Sequence, residues 1–317
     1  MNAHDLEGQL DTYLTLRLTL GRRDARLRDL LKNYVRYAVA RHNEGAVPAQ
    51  TAIDWACATS KQAGDSRRAY RLSAARGFLV YVRASFPETE VPEKGLLRKS
   101  PRRVPYLFSQ EQIVLLLKAA SNIGPAGSLR SQTIETMLGL MASTGIRIGE
   151  AINLEIGDVK LDTDPPVLEI RRTKFQKSRL VPLHPTTADK LKHYAAKRLQ
   201  IKRECNPATF FVSGARSRLG YWYLRYWFDR TTRELGMHPA PNRRKPTLHG
   251  IRHYFAVGRL TRWCQEGASV KDLAPTLSVY LGHVKPADSY WYLSCTPALL
   301  MTAGGAFQRY ATSGGAK

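Results

Sequence analysis

The stretch 281-LGHVKPADSYWYLS-294 sets His283 behind a Leu-Gly turn and then places two phenols, Tyr290 and Tyr292, on either side of Trp291. Two residues apart on a helix, side chains point to different sides, so only one of these phenols can face a given reacting atom. A tyrosine with an ordinary pKa near 10 is a weak nucleophile unless its proton is removed or its phenolate sits among cations. Whether this stretch carries chemistry therefore depends on where the rest of the chain supplies positive charge.

The chain supplies a great deal of it. Among 317 residues, 49 Lys and Arg face 26 Asp and Glu, a formal charge of +23 with a sequence pI near 10.1. Such an excess calls for a polyanionic partner, and phosphate neutralisation with counterion release makes nucleic acid the natural one. The length accommodates two domains, and 43% hydrophobic residues is ordinary for a protein with a real core. Cys57, Cys205, Cys264 and Cys295 are scattered, with no C-x-x-C pair and no Cys/His cluster at metal-ligand spacing. No leader-like segment and no apolar run of membrane-spanning length stands out, so a cytoplasmic protein with no membrane partner is expected.

Upstream, residues 1–90 carry apolar positions at helical spacing, for example Leu27, Leu30, Leu31, Tyr34, Val35 and Ala38, and a further segment begins near Thr51. The segment 68-RAYRLSAARGFLVYVRASF-86 interleaves Leu72, Phe78, Leu79 and Val82 with Arg68, Arg71, Arg76 and Arg83 and contains no acid. A solvated charged face is the ordinary explanation of such a pattern, but unscreened arginines repel one another, which favours contact with DNA. Residues 91–105 are rich in proline and carry Arg98, Lys99, Arg102 and Arg103, as expected of a basic linker lying along a phosphate backbone.

From 106 onward, Ser109 and Gln112 form an S-x-x-Q capping box ahead of 113-IVLLLKAA-120. A second apolar helix is expected at 133–143, and 144-TGIRIGE-150 follows, with Arg147 and Glu150 on one helical face. Two alternating segments, 167-VLEIRR-172 and 179-RLVPL-183, read as a hairpin with Lys174 and Lys177 near its tip. The aromatic run in 220–236 is expected to be mostly core. Then come 249-HGIR-252 and the opening stretch.

This ordered set resembles the signature of the tyrosine recombinase (phage integrase) family: an Arg in a T-G-x-R-x-x-E turn, a hairpin Lys, H-x-x-R, L-G-H and a Tyr nine residues on. The resemblance implies a mainly α fold with a small antiparallel β-sheet (α+β), clamp-like around double-stranded DNA. It divides the chain into a helical core-binding domain (1–90), a linker (91–105), a catalytic domain (106–296) and a tail (297–317) able to dock between subunits. It implies Tyr292 as the nucleophile forming a 3′-phosphotyrosine, Arg147 and Arg252 as phosphate-binding cations, and Lys174 as general acid, with Lys177 as alternative and DNA contact. His249 and His283 assist at the phosphate, and Glu150 orients a cation; His253 is expected to be structural.

The choice of Tyr292 over Tyr290 rests on the family's spacing alone. No metal or cofactor is implied, since the phosphotyrosine conserves the bond energy. The implied partners are DNA and three further copies of the chain in a homotetramer on two sites, with room for accessory proteins, nucleoid-associated when bound to DNA. Integration, excision or resolution of a mobile element is the expected process. A type IB topoisomerase-like enzyme and a non-catalytic DNA-binding regulator are the alternatives. The first domain looks too short for an additional arm-binding module.

Overall fold

The computed structural model describes residues 3–22, 25–42, 47–58, 64–98, 100–101, 103–125, 127–171, 178–200, 208–214, 217–241 and 243–283. Contacts divide the chain into two compact units, Met1–Arg102 and Arg103–Lys317. Lys99, Arg102, Lys174, Lys177, Tyr290, Tyr292 and the tail from 297 lie outside the described residues.

The first unit consists of helices α1 (Ala3–Thr19), α2 (Ala25–Val39), α3 (Ala49–Cys57) and α4 (Asp65–Val82) among the described residues. In α2 the buried positions Leu27, Leu31, Tyr34, Val35 and Ala38 form one stripe, the 3.6-residue pattern visible in the sequence. They meet Leu6 and Leu10 of α1, Trp55 of α3 and Leu72, Phe78, Leu79 and Val82 of α4 in a single core. The buried Trp55 keeps its indole N–H satisfied by donating to Asn33 Oδ1 at 2.9 Å. The described residues of 91–100 are held by this unit: Val91 and Leu97 pack on its core, and the Ser100 amide donates to Ser66 Oγ at 3.1 Å.

The second unit opens on α5 (Gln110–Ser121), whose capping box is formed as the sequence requires: the Gln112 amide donates to Ser109 Oγ and the Ser109 amide to Gln112 Oε1. Next is α6 (Leu129–Thr144), buried along Ile134, Met137, Leu138 and Met141, then the short α7 (Ile148–Ile152). Strands β1 (Val159–Lys160), β2 (Val167–Ile170) and β3 (Arg179–Pro182) form an antiparallel sheet in that order, with Ile170 opposite Arg179. The expected hairpin is therefore present on either side of the undescribed tip.

Helices α8 (Pro185–Gln200), α9 (Tyr221–Glu234), α10 (Leu248–Gln265) and α11 (Val270–Leu281) follow. Leu168, Ile170, Val181, Leu191, Tyr194, Leu224, Phe228 and Ile251 join α5 and α6 in the main core. The end of α10 and α11 share a separate small cluster of Ala256, Leu260, Leu277 and Leu281.

The aromatic run in α9 corrects the expectation of a core stripe. Only Leu224, Phe228, Thr231 and Thr232 are buried there, an i, i+4, i+7, i+8 edge, while Trp222 and Tyr226 are 71% and 66% exposed. Aromatics at consecutive positions rotate by about 100° each, so a run of them cannot share one buried face.

Candidate active site

Three backbone turns bring the site together. Helix α6 ends at Gly145, whose φ of +65° is the left-handed conformation glycine adopts without strain. A Cβ there would lie 2.5 Å from Phe255 Cδ1 and 2.9 Å from Leu281 Cδ2, so the Thr-Gly pair also lets α10 and α11 close against the turn. Helix α11 ends in the same way at Gly282, with φ +67°. Helix α10 starts under a Thr247 cap that accepts from the Gly250 amide at 3.2 Å, which sets His249 and Arg252 in its first turns.

Glu150 is the hub. Its Oε1 accepts from Arg147 Nη1 at 2.8 Å and from Arg179 Nη1 at 3.1 Å; its Oε2 accepts from the Arg147 amide at 2.9 Å and from Arg179 Nη2 at 2.8 Å. Arg179 thus meets the carboxylate with a two-pronged fork, the geometry that distinguishes arginine from lysine. Burial by itself pushes the Glu150 carboxyl up, but the hydrogen bonds and charge of Arg179, and then the bonds from Arg147, outweigh it and hold the pKa at about 2. Glu150 is ionised throughout the physiological range.

The same arginines converge on the last turn of α11. Arg179 Nε donates to Tyr280 O at 2.9 Å, Arg252 Nη2 to Leu281 O at 2.6 Å, and Arg147 Nη2 to Gly282 O at 2.9 Å. Three successive carbonyls at the negative end of a helix are each met by a guanidinium. Arg252 Nη1 also donates to Gly145 O at 2.8 Å, tying the turn after α6 to the end of α11. His283 follows immediately, its amide bonded to Ser278 O at 2.9 Å, with the ring half-buried.

Electrostatically, Arg147 and Arg179 share the one Glu150 carboxylate, so positive charge outweighs negative where they meet. Exposure grades the three arginines. The Arg147 side chain is 33% exposed, that of Arg179 is 11% exposed, and Arg252 is buried. In this conformation Arg147 is the one of the three open to a phosphate. Tyr280, the phenol at the edge of the cluster, has its pKa pushed up to about 12 by burial, with Arg259 and Arg179 acting against it, so it stays protonated.

His249 is exposed, and its ring stands edge-on to the buried His253 at 4.7 Å. The structure thus brings Arg147, Glu150, Arg252 and His283 together around the α11 terminus. Among the basic residues read as DNA contacts, Arg98 and Arg103 are exposed and Arg68 is half-buried. Arg71 stacks on the Trp55 ring at 3.9 Å and donates to Trp55 O at 2.6 Å, while Arg76 Nε donates to Pro92 O at 3.0 Å. Arg179 did not stand out in the sequence as a site residue. It sits just beyond the lysine hairpin, and only the pairing that buries its side chain beside Glu150 reveals it. Among the described residues, no group of three or more His, Cys, Asp or Glu is placed to hold a metal ion.

The second unit is thus mainly helical, with a cluster of arginines at the end of α11. The phage integrase family model matches residues 107–296, more than half of the chain. A Sinorhizobium fredii protein named as an integrase/recombinase, y4rB, is 36% identical, with 92% of this chain and 93% of that protein covered. A second from the same organism, y4rE, is 32% identical over 95% of each. Among solved structures, the Tn1549 transposon integrase in complex with transposon right end DNA matches 98% of this chain and 100% of that one, with a TM-score of 0.66 at 14% identity. The site-specific recombinase XerH bound to a palindromic difH substrate matches 89% and 79%, with a TM-score of 0.65 at 18% identity. The chain belongs to the phage integrase family of tyrosine recombinases, enzymes that transfer DNA strands.

Proposed function

We propose that this recombinase cuts and rejoins double-stranded DNA at specific sites through a 3′-phosphotyrosine on Tyr292, in the service of a mobile element. The carrying observation is the arginine cluster at the α11 terminus: Arg147, half-open to solvent, is held by a Glu150 carboxylate that it shares with Arg179, beside the turn into His283, nine residues before that tyrosine.

Attack of the Tyr292 oxygen on a phosphodiester forms an O–P bond and adds negative charge to the two non-bridging oxygens, which fixed cations stabilise more in the transition state than in the ground state. Arg147 takes one of these oxygens. Arg252 supplies charge from beneath and reaches the phosphoryl group by exchanging the Leu281 carbonyl for it. His249 accepts the phenol proton or donates to the phosphate, and His283 donates to a non-bridging oxygen. The 5′-oxygen departs with a proton from Lys174, with Lys177 as the alternative donor. A 5′-hydroxyl then attacks the phosphotyrosine, restoring a phosphodiester and releasing the phenol, so no external energy source is consumed.

Both units bind the duplex, the first through the basic face of α4 and the stretch carrying Arg98, Lys99, Arg102 and Arg103. Four copies holding two sites, joined through the tail after 297, complete the active assembly, with accessory proteins acting on it. The relatives named as integrases or recombinases support the mobile-element role.

The test is covalent capture. Duplexes trapped by the intact chain from a random library, recovered by denaturing purification, define the cleavage site; a nicked suicide duplex built on that site then accumulates a protein–DNA adduct. Tyr292→Phe is expected to abolish the adduct while Tyr290→Phe retains it. An adduct that survives Tyr292→Phe overturns the assignment.

A further inference from the structure

We propose that Arg179 is a positioning residue for DNA cleavage: it holds Arg147 at the phosphate through Glu150 and ties the returning strand of the hairpin to the α11 terminus. The inference rests on the reading of Arg147 as the phosphate-binding cation and extends it to a residue that does not touch DNA.

Three observations carry it. The Arg179 side chain is only 11% exposed, and its guanidinium already spends Nη1 and Nη2 on Glu150 and Nε on Tyr280 O. It is therefore committed to the protein, whereas Arg147 at 33% exposure is open to a ligand. Second, of the four hydrogen bonds that Glu150 accepts, two come from Arg179 and two from Arg147. Without Arg179 the carboxylate is fixed by the cation it is meant to fix, and Arg147 gains freedom to swing. Third, the guanidinium packs against Gly282, where a Cβ would come within 2.9 Å of Nη1 and 3.1 Å of Cζ. The glycine of the Leu-Gly-His turn thus makes room for Arg179 as well as ending the helix.

Since Arg179 opens β3 directly after the hairpin tip, one side chain fixes the strand, the carboxylate and the turn before His283 relative to one another. Lysine cannot substitute, because one ammonium cannot present a fork to the carboxylate and a third donor to Tyr280 O.

Two scissile groups on the captured suicide duplex separate this role from a loss of fold. On the ordinary phosphodiester, Arg179→Met is expected to slow single-turnover cleavage about 10- to 100-fold, by analogy with loss of an outer partner behind a metal ligand. On a methylphosphonate, where one charged oxygen is replaced by methyl, less charge develops and the cation matters less. There the Arg179→Met deficit is expected to shrink in parallel with that of Arg147→Ala.

Arg179→Lys is expected to retain the melting temperature better than Arg179→Met and yet remain slow on the phosphodiester, and it carries the comparison if the Met variant unfolds. An equal Arg179 deficit on both substrates, or full activity with lysine, overturns the proposal. If Arg147→Ala itself cleaves the phosphodiester at the wild-type rate, the underlying reading of Arg147 fails instead, whatever Arg179 does.

Discussion

Arginines are used in opposite ways in the two units. On α4, Arg71 and Arg76 each end on a backbone carbonyl, Trp55 O and Pro92 O, and neither has an ion pair among the described residues. At the α11 terminus, Arg147, Arg179 and Arg252 also end on carbonyls, but two of them share Glu150 as well. A carbonyl aims a guanidinium without cancelling its charge; a carboxylate aims it more firmly and removes one unit. These α4 arginines keep full charge while held on their own unit, so a loosely aimed contact with a polyanion, averaged over many contacts, would fall to exposed residues such as Arg98. The second unit sets two arginines against one carboxylate and gains fixed geometry, which suits stabilising charge that appears at one atom.

The largest expected effect tests the fixed-geometry side of that contrast. Arg147→Ala should slow single-turnover cleavage by about 10²- to 10³-fold, as loss of one oxyanion donor does. Equilibrium DNA affinity, measured by fluorescence anisotropy at constant salt, should change far less. A large affinity loss with an unchanged rate in the bound complex would put Arg147 with the binding arginines.

Glu150→Gln comes next. Removing the hub charge should slow cleavage about 10- to 100-fold, by analogy with loss of an outer partner behind a metal ligand, although it raises the net positive charge of the cluster. If cleavage instead accelerates, raw charge matters more than aim, and the comparison fails. The same variant has a pH signature. The Glu150 pKa is lowered from its ordinary 4.5 to about 2. Its contribution, on the order of 3 kcal/mol, is present above the ordinary value and lost as pH falls through the folded one. The gap between wild type and Glu150→Gln in the urea midpoint of the second unit should therefore be widest near neutrality and narrow below about pH 4.5.

How much of this was legible in the sequence follows from the range of the interactions. The helices of the first unit, the Ser109 capping box and the hairpin depend on residues a few positions apart, and each is read from local pattern. Arg147, Glu150, Arg252 and His283 were found because motif order stands in for three-dimensional proximity. Arg179 was not, because its meaning lies in contacts 29 and 101 positions away, to Glu150 and Tyr280. The partners of Arg71 and Arg76 are hidden for a related reason: periodicity shows which face an arginine occupies, but not that its stem and head fold back onto Trp55 or Pro92. Long side chains bury their stems and choose partners that a one-dimensional pattern does not contain.

Arg71→Ala should accordingly act on stability first. It removes a stacked cation worth about 0.5–2 kcal/mol and a hydrogen bond to the last turn of α3 worth about 0.5–1.5 kcal/mol. The first unit should melt earlier by a few degrees, with cleavage by the folded protein nearly unchanged. Loss of DNA affinity without loss of stability would show that Arg71 leaves Trp55 to meet a phosphate.

Arg98→Ala should give the smallest effect and define the loose-aim limit. Arg98 is exposed, so its deletion should leave the melting temperature within error. If it neutralises one phosphate, the slope of log affinity against log salt should become shallower by about 0.9. The affinity loss should then be several-fold at low salt and fade as salt rises, while the cleavage rate of the saturated complex stays at the wild-type value. That combination cannot arise at the α11 terminus, where changing any of the three arginines also disturbs the carboxylate or the turn they share. A salt slope unchanged by Arg98→Ala would remove this residue from the binding surface and leave Arg103, its exposed neighbour across the boundary between the units, as the next to test in the same way.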